Sequence, residues 1–80
     1  MDIKQKIGFR IKEIRTHLAL SQEAVANKAE IARTFMTHVE NGRRNVSVET
    51  LEKIIIKGLE VSFHKFFESE IFDKKREVIK

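Results

Sequence analysis

Ile3, Ile7, Ile11, Ile14 and Leu18 recur at spacings of three and four along the start of the chain. That period marks a helix with one buried face. Ser21 follows as a good N-cap, with Gln22 and Glu23 in the first turn of a short second helix that carries Ala24, Val25 and Ala29 inward. Ile31 is an apolar pivot before a third helix, which runs to about Asn41 and has Gly42 as its natural left-handed cap. A loop, RRNVS, leads to Ser47, the cap of a fourth helix that turns Leu51, Ile54, Ile55 and Leu59 inward. Ser62 caps a fifth, over about 62–76, containing Phe63, Phe66, Phe67, Ile71 and Phe72. No stretch alternates with a period of two, and the single Asn-Gly, at 41–42, closes a helix rather than a hairpin. The pattern predicts an all-α fold: one compact five-helix bundle over residues 1–80, without repeats or linkers.

The third helix has an unusual outer face. Met36 and Val39 define its buried side, with Ala32 near them; at about 100° per residue, Thr34, Thr37, His38 and Asn41 lie broadly opposite. Arg33 sits on one flank and Phe35 on the other. Solvated helix faces favour Glu and Lys, whereas Thr and Asn are poor helix formers. Helix stability does not account for these residues, but contact with a partner does.

Charge points to the kind of partner. The chain carries a net +4, and residues 1–46, with nine Lys/Arg and five Asp/Glu, hold all of it. Residues 47–80 carry seven of each sign and sum to zero. Such asymmetry points to a polyanion bound by the first half and a different task for the second. The chain has no cysteine, so disulfides and thiolate metal sites are excluded and a reducing compartment is the expected setting. No segment approaches the roughly 20 apolar residues that span a bilayer, and the start, MDIKQKIGFRIK, lacks a signal-peptide core. These features predict a cytoplasmic protein with no membrane partner.

Enzymatic chemistry finds no support. His17, His38 and His64 are far apart and none belongs to a metal-binding spacing. There is no nucleophile motif, phosphate-binding glycine loop or acid pair. No catalytic residue, metal, cofactor or small-molecule ligand is expected.

Two short helices joined tightly, the second with a polar outer face, describe a helix-turn-helix. The stretch SQEAVANKAEIARTFMTHVENGRRNVSVETLEKIIIKGLEVS resembles the Cro/repressor (XRE-like) class of regulators. Ser21, Gln22, Glu23, Ala26, Ile31, Glu40 and Gly42 fall on its pattern, and with the first helix the likeness covers residues 5–68. ARTFMTHVENGRRN and KGLEVSFHKFFE are most similar to the controller proteins of restriction–modification systems, small five-helix dimers that regulate their own gene and that of the nuclease. The resemblance implies a lambda-repressor-like bundle that binds double-stranded DNA, with the second and third helices as the helix-turn-helix.

By the same resemblance, Ala32, Arg33, Thr34, Thr37 and His38 occupy base-reading positions in the major groove. Arg33 is the foremost reader, the alternative being a phosphate contact or solvation. Phe35 either touches a thymine methyl or packs against the second helix. Gln22 matches a phosphate-binding position, aided by amides at its helix start, and Arg43, Arg44 and Asn45 lie where the family's loop meets the backbone. A solvated charge run is the alternative for that loop. Arg15 and Glu40 match a structural pair that orients the recognition helix. Glu23 matches a possible RNA polymerase contact, against the plainer reading of a first-turn acid. The sequence departs from the pattern at Glu30 and Glu60, where the family carries glycine, and at Ala32, where it carries a capping Ser or Thr. A slightly different turn is the expectation at the two glutamates.

Phe66, Phe67, Ile71 and Phe72 exceed what so small a core needs. They predict a homodimer through the fifth helix, with a monomer and wrapped tail as the alternative. Phe63, Phe66, Phe67 and Ile71 share one stripe and Phe72 falls on the other side, while the tail DKKREVIK is expected to fray. A twofold dimer implies a pseudo-palindromic operator with half-sites about one helical turn apart. The functional expectation is an autoregulating transcriptional regulator. A DNA-binding antitoxin and a phage-type Cro/repressor remain as alternatives on the same fold, and a protein-binding adaptor as a weaker one.

Overall fold

The computed structural model describes residues 1–73. Among them every regular element is helical: α1 (Ile3–His17), α2 (Gln22–Ala29), α3 (Arg33–Glu40), α4 (Val48–Glu52), which widens into a π-helical turn (Lys53–Gly58), and α5 (Phe63–Phe67), followed by a 3₁₀ turn (Glu70–Phe72). Asp2 starts α1 with a capping box, its carboxylate accepting from the Gln5 N–H while the Gln5 side chain accepts from the Asp2 N–H, both at 2.9 Å. Ser21, Ser47 and Ser62 cap α2, α4 and α5 through their hydroxyls. No helix among the described residues is long and apolar enough to cross a membrane.

The core gathers Ile7, Ile11 and Ile14 from α1, Val25, Ala26 and Ala29 from α2, Met36 and Val39 from α3, Ile54, Ile55 and Leu59, and Phe66. On α2 it is Ala26, not Ala24, that completes the fully buried face. The ends of the first stripe lie outside the core: Ile3 and Leu18 are exposed, because the other helices cover only the middle of this longest element. Arg10 takes an inner position instead. Gly8 lets α3 cross α1 closely, since a Cβ there would collide with the carbonyl oxygens of Val39 and Glu40.

Four connections share one device. Ala19, Glu30, Gly42 and Glu60 all take left-handed backbone angles, with φ of 60°, 63°, 72° and 60°. The next residue closes the turn in the first three: the N–H groups of Leu20, Ile31 and Arg43 donate to the carbonyls of Arg15, Ala26 and His38, each at 2.9 Å. These are Schellman closures, in which the left-handed site ordinarily favours glycine. The expected change of turn at Glu30 and Glu60 does not occur; both glutamates adopt the conformation that glycine would. The reason lies one residue on. Ile31 and Val61 pack against the core, and reaching it requires the reversal, at about 1 kcal/mol or somewhat more per side chain held at positive φ. Lys28 pairs with Glu60 at 2.6 Å, and Lys57 lies 4.0 Å from Glu30, both at the surface.

The second half departs from its predicted form in two places. The fourth helix is not uniformly α: the Leu59 N–H reaches back five residues to the Ile54 carbonyl at 2.8 Å, while Ile54, Ile55 and Gly58 still face the core. The fifth helix ends at Phe67 rather than near 76. Glu68 (ψ 79°) and Ser69 (φ −157°) leave the helical region. The cause is remote in sequence. The guanidinium of Arg10, 9% exposed, donates from Nε to the Phe66 carbonyl (2.6 Å) and from Nη2 to those of Lys65 (2.8 Å) and Glu68 (3.1 Å). It thereby satisfies carbonyls that a continuing helix would have bonded itself.

The break folds Phe72 back. Its ring centre lies 4.9 Å from that of Phe67 and 6.2 Å from that of Phe66, so Phe72 joins the stripe it was expected to oppose. Phe66 is fully buried within the chain, which corrects its assignment to a dimer interface. Phe67, Ile71 and Phe72 are half-buried and Phe63 is exposed. The fraying tail falls, beyond Asp73, outside the described residues.

Candidate nucleic-acid interface

The Arg15–Glu40 pair fixes α3 in place. Nε of Arg15 donates to Oε2 of Glu40 at 2.6 Å and Nη2 to Oε1 at 3.1 Å, a two-pronged contact, while Nη1 holds the Leu20 carbonyl at 2.8 Å. The two side chains are only 11% and 1% exposed. Such a fork fixes direction as well as distance.

The pair extends to the outer face. Gln22 donates from Nε2 to Oε1 of Glu40 at 2.9 Å, and Oε1 of Gln22 accepts from the Thr37 hydroxyl at 2.8 Å. A chain of polar contacts thus runs from α1 through the start of α2 to the middle of α3. The amide of Gln22 is therefore turned inward, leaving one N–H for anything outside.

Arg33, Thr34, Thr37 and His38 line one shallow depression on the surface. Arg33 and Thr34 are exposed, Thr37 and His38 half-buried. Ala32 is the exposed N-cap of α3 and offers no side-chain hydrogen bond to its first turn. Phe35 is half-buried against the core, and the Arg44 guanidinium stacks over its ring at 5.4 Å from the centroid, within cation–π range. The ring of Phe35 thus packs against the core and also orients Arg44. Arg43 and Asn45 are exposed beside it. Among the described residues, none of Arg33, Arg43 and Arg44 forms an ion pair. The one acid of α3, Glu40, is already paired with Arg15, so the face is left cationic.

Sequence reasoning missed three contacts here: the Gln22–Glu40 and Gln22–Thr37 hydrogen bonds and the Arg44–Phe35 stack join residues with no pattern linking them. Elsewhere, Arg10 left a trace, as a charged side chain interrupting the inner face of α1. The three histidines do not converge, and no group of three His, Asp or Glu able to hold a metal occurs among the described residues.

A family model described as helix-turn-helix matches residues 11–63, and the chain belongs to that family, a class of DNA-binding transcriptional regulators and not of enzymes. It is 40% identical over 67 residues to the control protein C.MunI of Mycoplasma sp., covering 82% of this chain and 89% of that one. It is 35% identical over 54 residues to the control protein C.BamHI of Bacillus amyloliquefaciens, covering 66% and 67%. Among solved structures, the wild-type restriction–modification controller protein C.Esp1396I superposes with a TM-score of 0.80 at 38% identity, over 92% of this chain and 93% of that one. That controller has also been solved as a tetramer in complex with its natural 35 base-pair operator.

Proposed function

We propose that the protein is the autoregulating controller of a restriction–modification operon, which binds a pseudo-palindromic site in double-stranded DNA as a homodimer. The observation that carries this reading is the cationic outer face of α3, fixed to α1 by the Arg15–Glu40 fork. One α3 enters the major groove of each half-site. Arg33 pairs with guanine; Thr34, Thr37 and His38 contact neighbouring base edges, and Ala32 and Phe35 flank them with apolar surface. Arg43, Arg44 and Asn45 hold phosphates, as do the remaining N–H of Gln22 and the amides that open α2. Phe67, Ile71 and Phe72, with Phe63 beside them, form the dimer contact, and the two parts make one functional domain. Glu23 is available to RNA polymerase at a promoter. Likeness to C.MunI, C.BamHI and the operator-bound C.Esp1396I supports the controller reading.

A phage-type repressor is the second reading. The immunity repressor of Bacillus phage phi105 is 39% identical over 57 residues, but these amount to only 40% of that protein's length.

Titration onto the DNA upstream of the protein's own gene, with competitor DNA and sedimentation in parallel, tests the proposal. Two protomers per site and a log K against log salt slope of roughly −4 to −5, from four to six neutralised phosphates, are expected. Binding no tighter than to competitor, or by single protomers, would refute it.

A further inference from the structure

The polar chain from Arg15 to Thr37 has a direction, and that direction reaches the base-reading face. An ionised carboxylate only accepts hydrogen bonds, so the Gln22 group facing Glu40 must be its NH₂, as placed at 2.9 Å. Oε1 of Gln22 therefore faces Thr37, and it too can only accept. The other neighbour of the Thr37 hydroxyl is the Arg33 carbonyl at 3.1 Å, a third acceptor. A hydroxyl has a single hydrogen. The Gln22 oxygen, at 2.8 Å the nearer acceptor, takes it, so that hydrogen points into the protein and a lone pair is left for what approaches from outside.

We infer that Gln22 is a specificity-determining residue: it orients Thr37 to act as a hydrogen-bond acceptor, so that the facing operator position favours the amino group of adenine or cytosine over guanine. The inference rests on the reading that α3 lies in the major groove. There, adenine N6 and cytosine N4 are the donors, while guanine offers only acceptors, N7 and O6. Two acceptors face to face leave both unpaired. Discrimination at this position thus originates in the ion pair between α1 and α3, two hydrogen bonds away. This role for Gln22 differs from a phosphate contact, which would strengthen binding to every sequence alike.

Selection from a randomised operator library, read by sequencing, tests this with the full-length protein and three variants. Wild type should deplete guanine at one position of each half-site. Thr37→Val, which removes the hydroxyl and leaves Gln22 on Glu40, should abolish that depletion and so identify the position. Thr37→Ser should preserve it. Gln22→Met, which leaves only the Arg33 carbonyl at 3.1 Å to hold the Thr37 hydrogen, should relax the preference there by about tenfold, within the range of one good base contact, over and above a uniform loss at all positions from its phosphate N–H. Thermal melts verify that each variant is folded. A Gln22→Met profile with the same relative base preferences as wild type, whether or not the overall affinity falls, would overturn the inference. If wild type enriches no sequence, the groove reading itself falls and the inference with it.

Discussion

Replacing Glu40 by alanine tests the fork that holds α3. The carboxylate is 1% exposed and accepts from Arg15 twice and from Gln22 once. Removing one partner of a buried ion pair costs about 3–5 kcal/mol, largely because the other is stranded. Arg15 is not wholly stranded: at 11% exposure it can reach water, and it keeps the Leu20 carbonyl at 2.8 Å. The lower end, about 3 kcal/mol, is therefore expected. A domain of this length has roughly 4–12 kcal/mol in total, so the variant should fold at low temperature with a large part of its stability gone. At about 4–8 °C per kcal/mol, its melting midpoint should fall by about 12–24 °C. Circular dichroism melts give this directly, and DNA titration below the lowered midpoint separates folding from recognition. Binding should weaken there by less than it does at 37 °C, where unfolding adds to the loss. A midpoint within about 3 °C of wild type would refute the reasoning, because α3 would then be held by apolar packing alone.

Glu30→Gly combined with Glu60→Gly should raise stability by about 1 kcal/mol, because relief of positive-φ strain exceeds the entropy of the added glycines and the loss of two surface ion pairs; a lowered midpoint in a thermal melt would contradict the assignment of strain. Ala32→Ser should stabilise by about 1 kcal/mol, by capping the free N–H groups of α3; the same melts measure it, and no gain would mean that those groups already have partners. Arg10→Met should destabilise by about 1.5–3 kcal/mol, since it orphans the Phe66 carbonyl. It should also weaken the dimer in sedimentation, where an unchanged dimer would separate α5 from self-association.

The fold was legible in sequence wherever its causes are local. Serine caps at 21, 47 and 62, the three-and-four spacing of α1 and Gly42 each act within a turn or two, and the helix starts follow from them. Glu30 and Glu60 misled because side-chain preference speaks for glycine, while the burial of Ile31 and Val61 decides the backbone. Phe63, Phe66, Phe67 and Ile71 keep helical spacing past the true end of α5. The residue that ends the helix is Arg10, more than fifty positions earlier, and no local pattern contains it. The outer face of α3 could be singled out as a candidate because its residues are poor choices for a solvated helix. Its internal wiring, Glu40 to Gln22 to Thr37, could not: three helices must first be packed together before those side chains meet.

The central claim, that α3 reads DNA through Arg33, is tested most directly by fluorescence anisotropy of wild type and Arg33→Ala. The probes are the upstream DNA of the protein's own gene and a scrambled duplex, each at several salt concentrations. Arg33 is exposed and unpaired among the described residues, so the variant should melt as wild type does. The account predicts that it loses about 1–3 kcal/mol on the upstream DNA and little on the scrambled duplex. Equal losses on both duplexes would make Arg33 a phosphate contact, and no loss on either would contradict the claim that this face of α3 is the one that reads DNA.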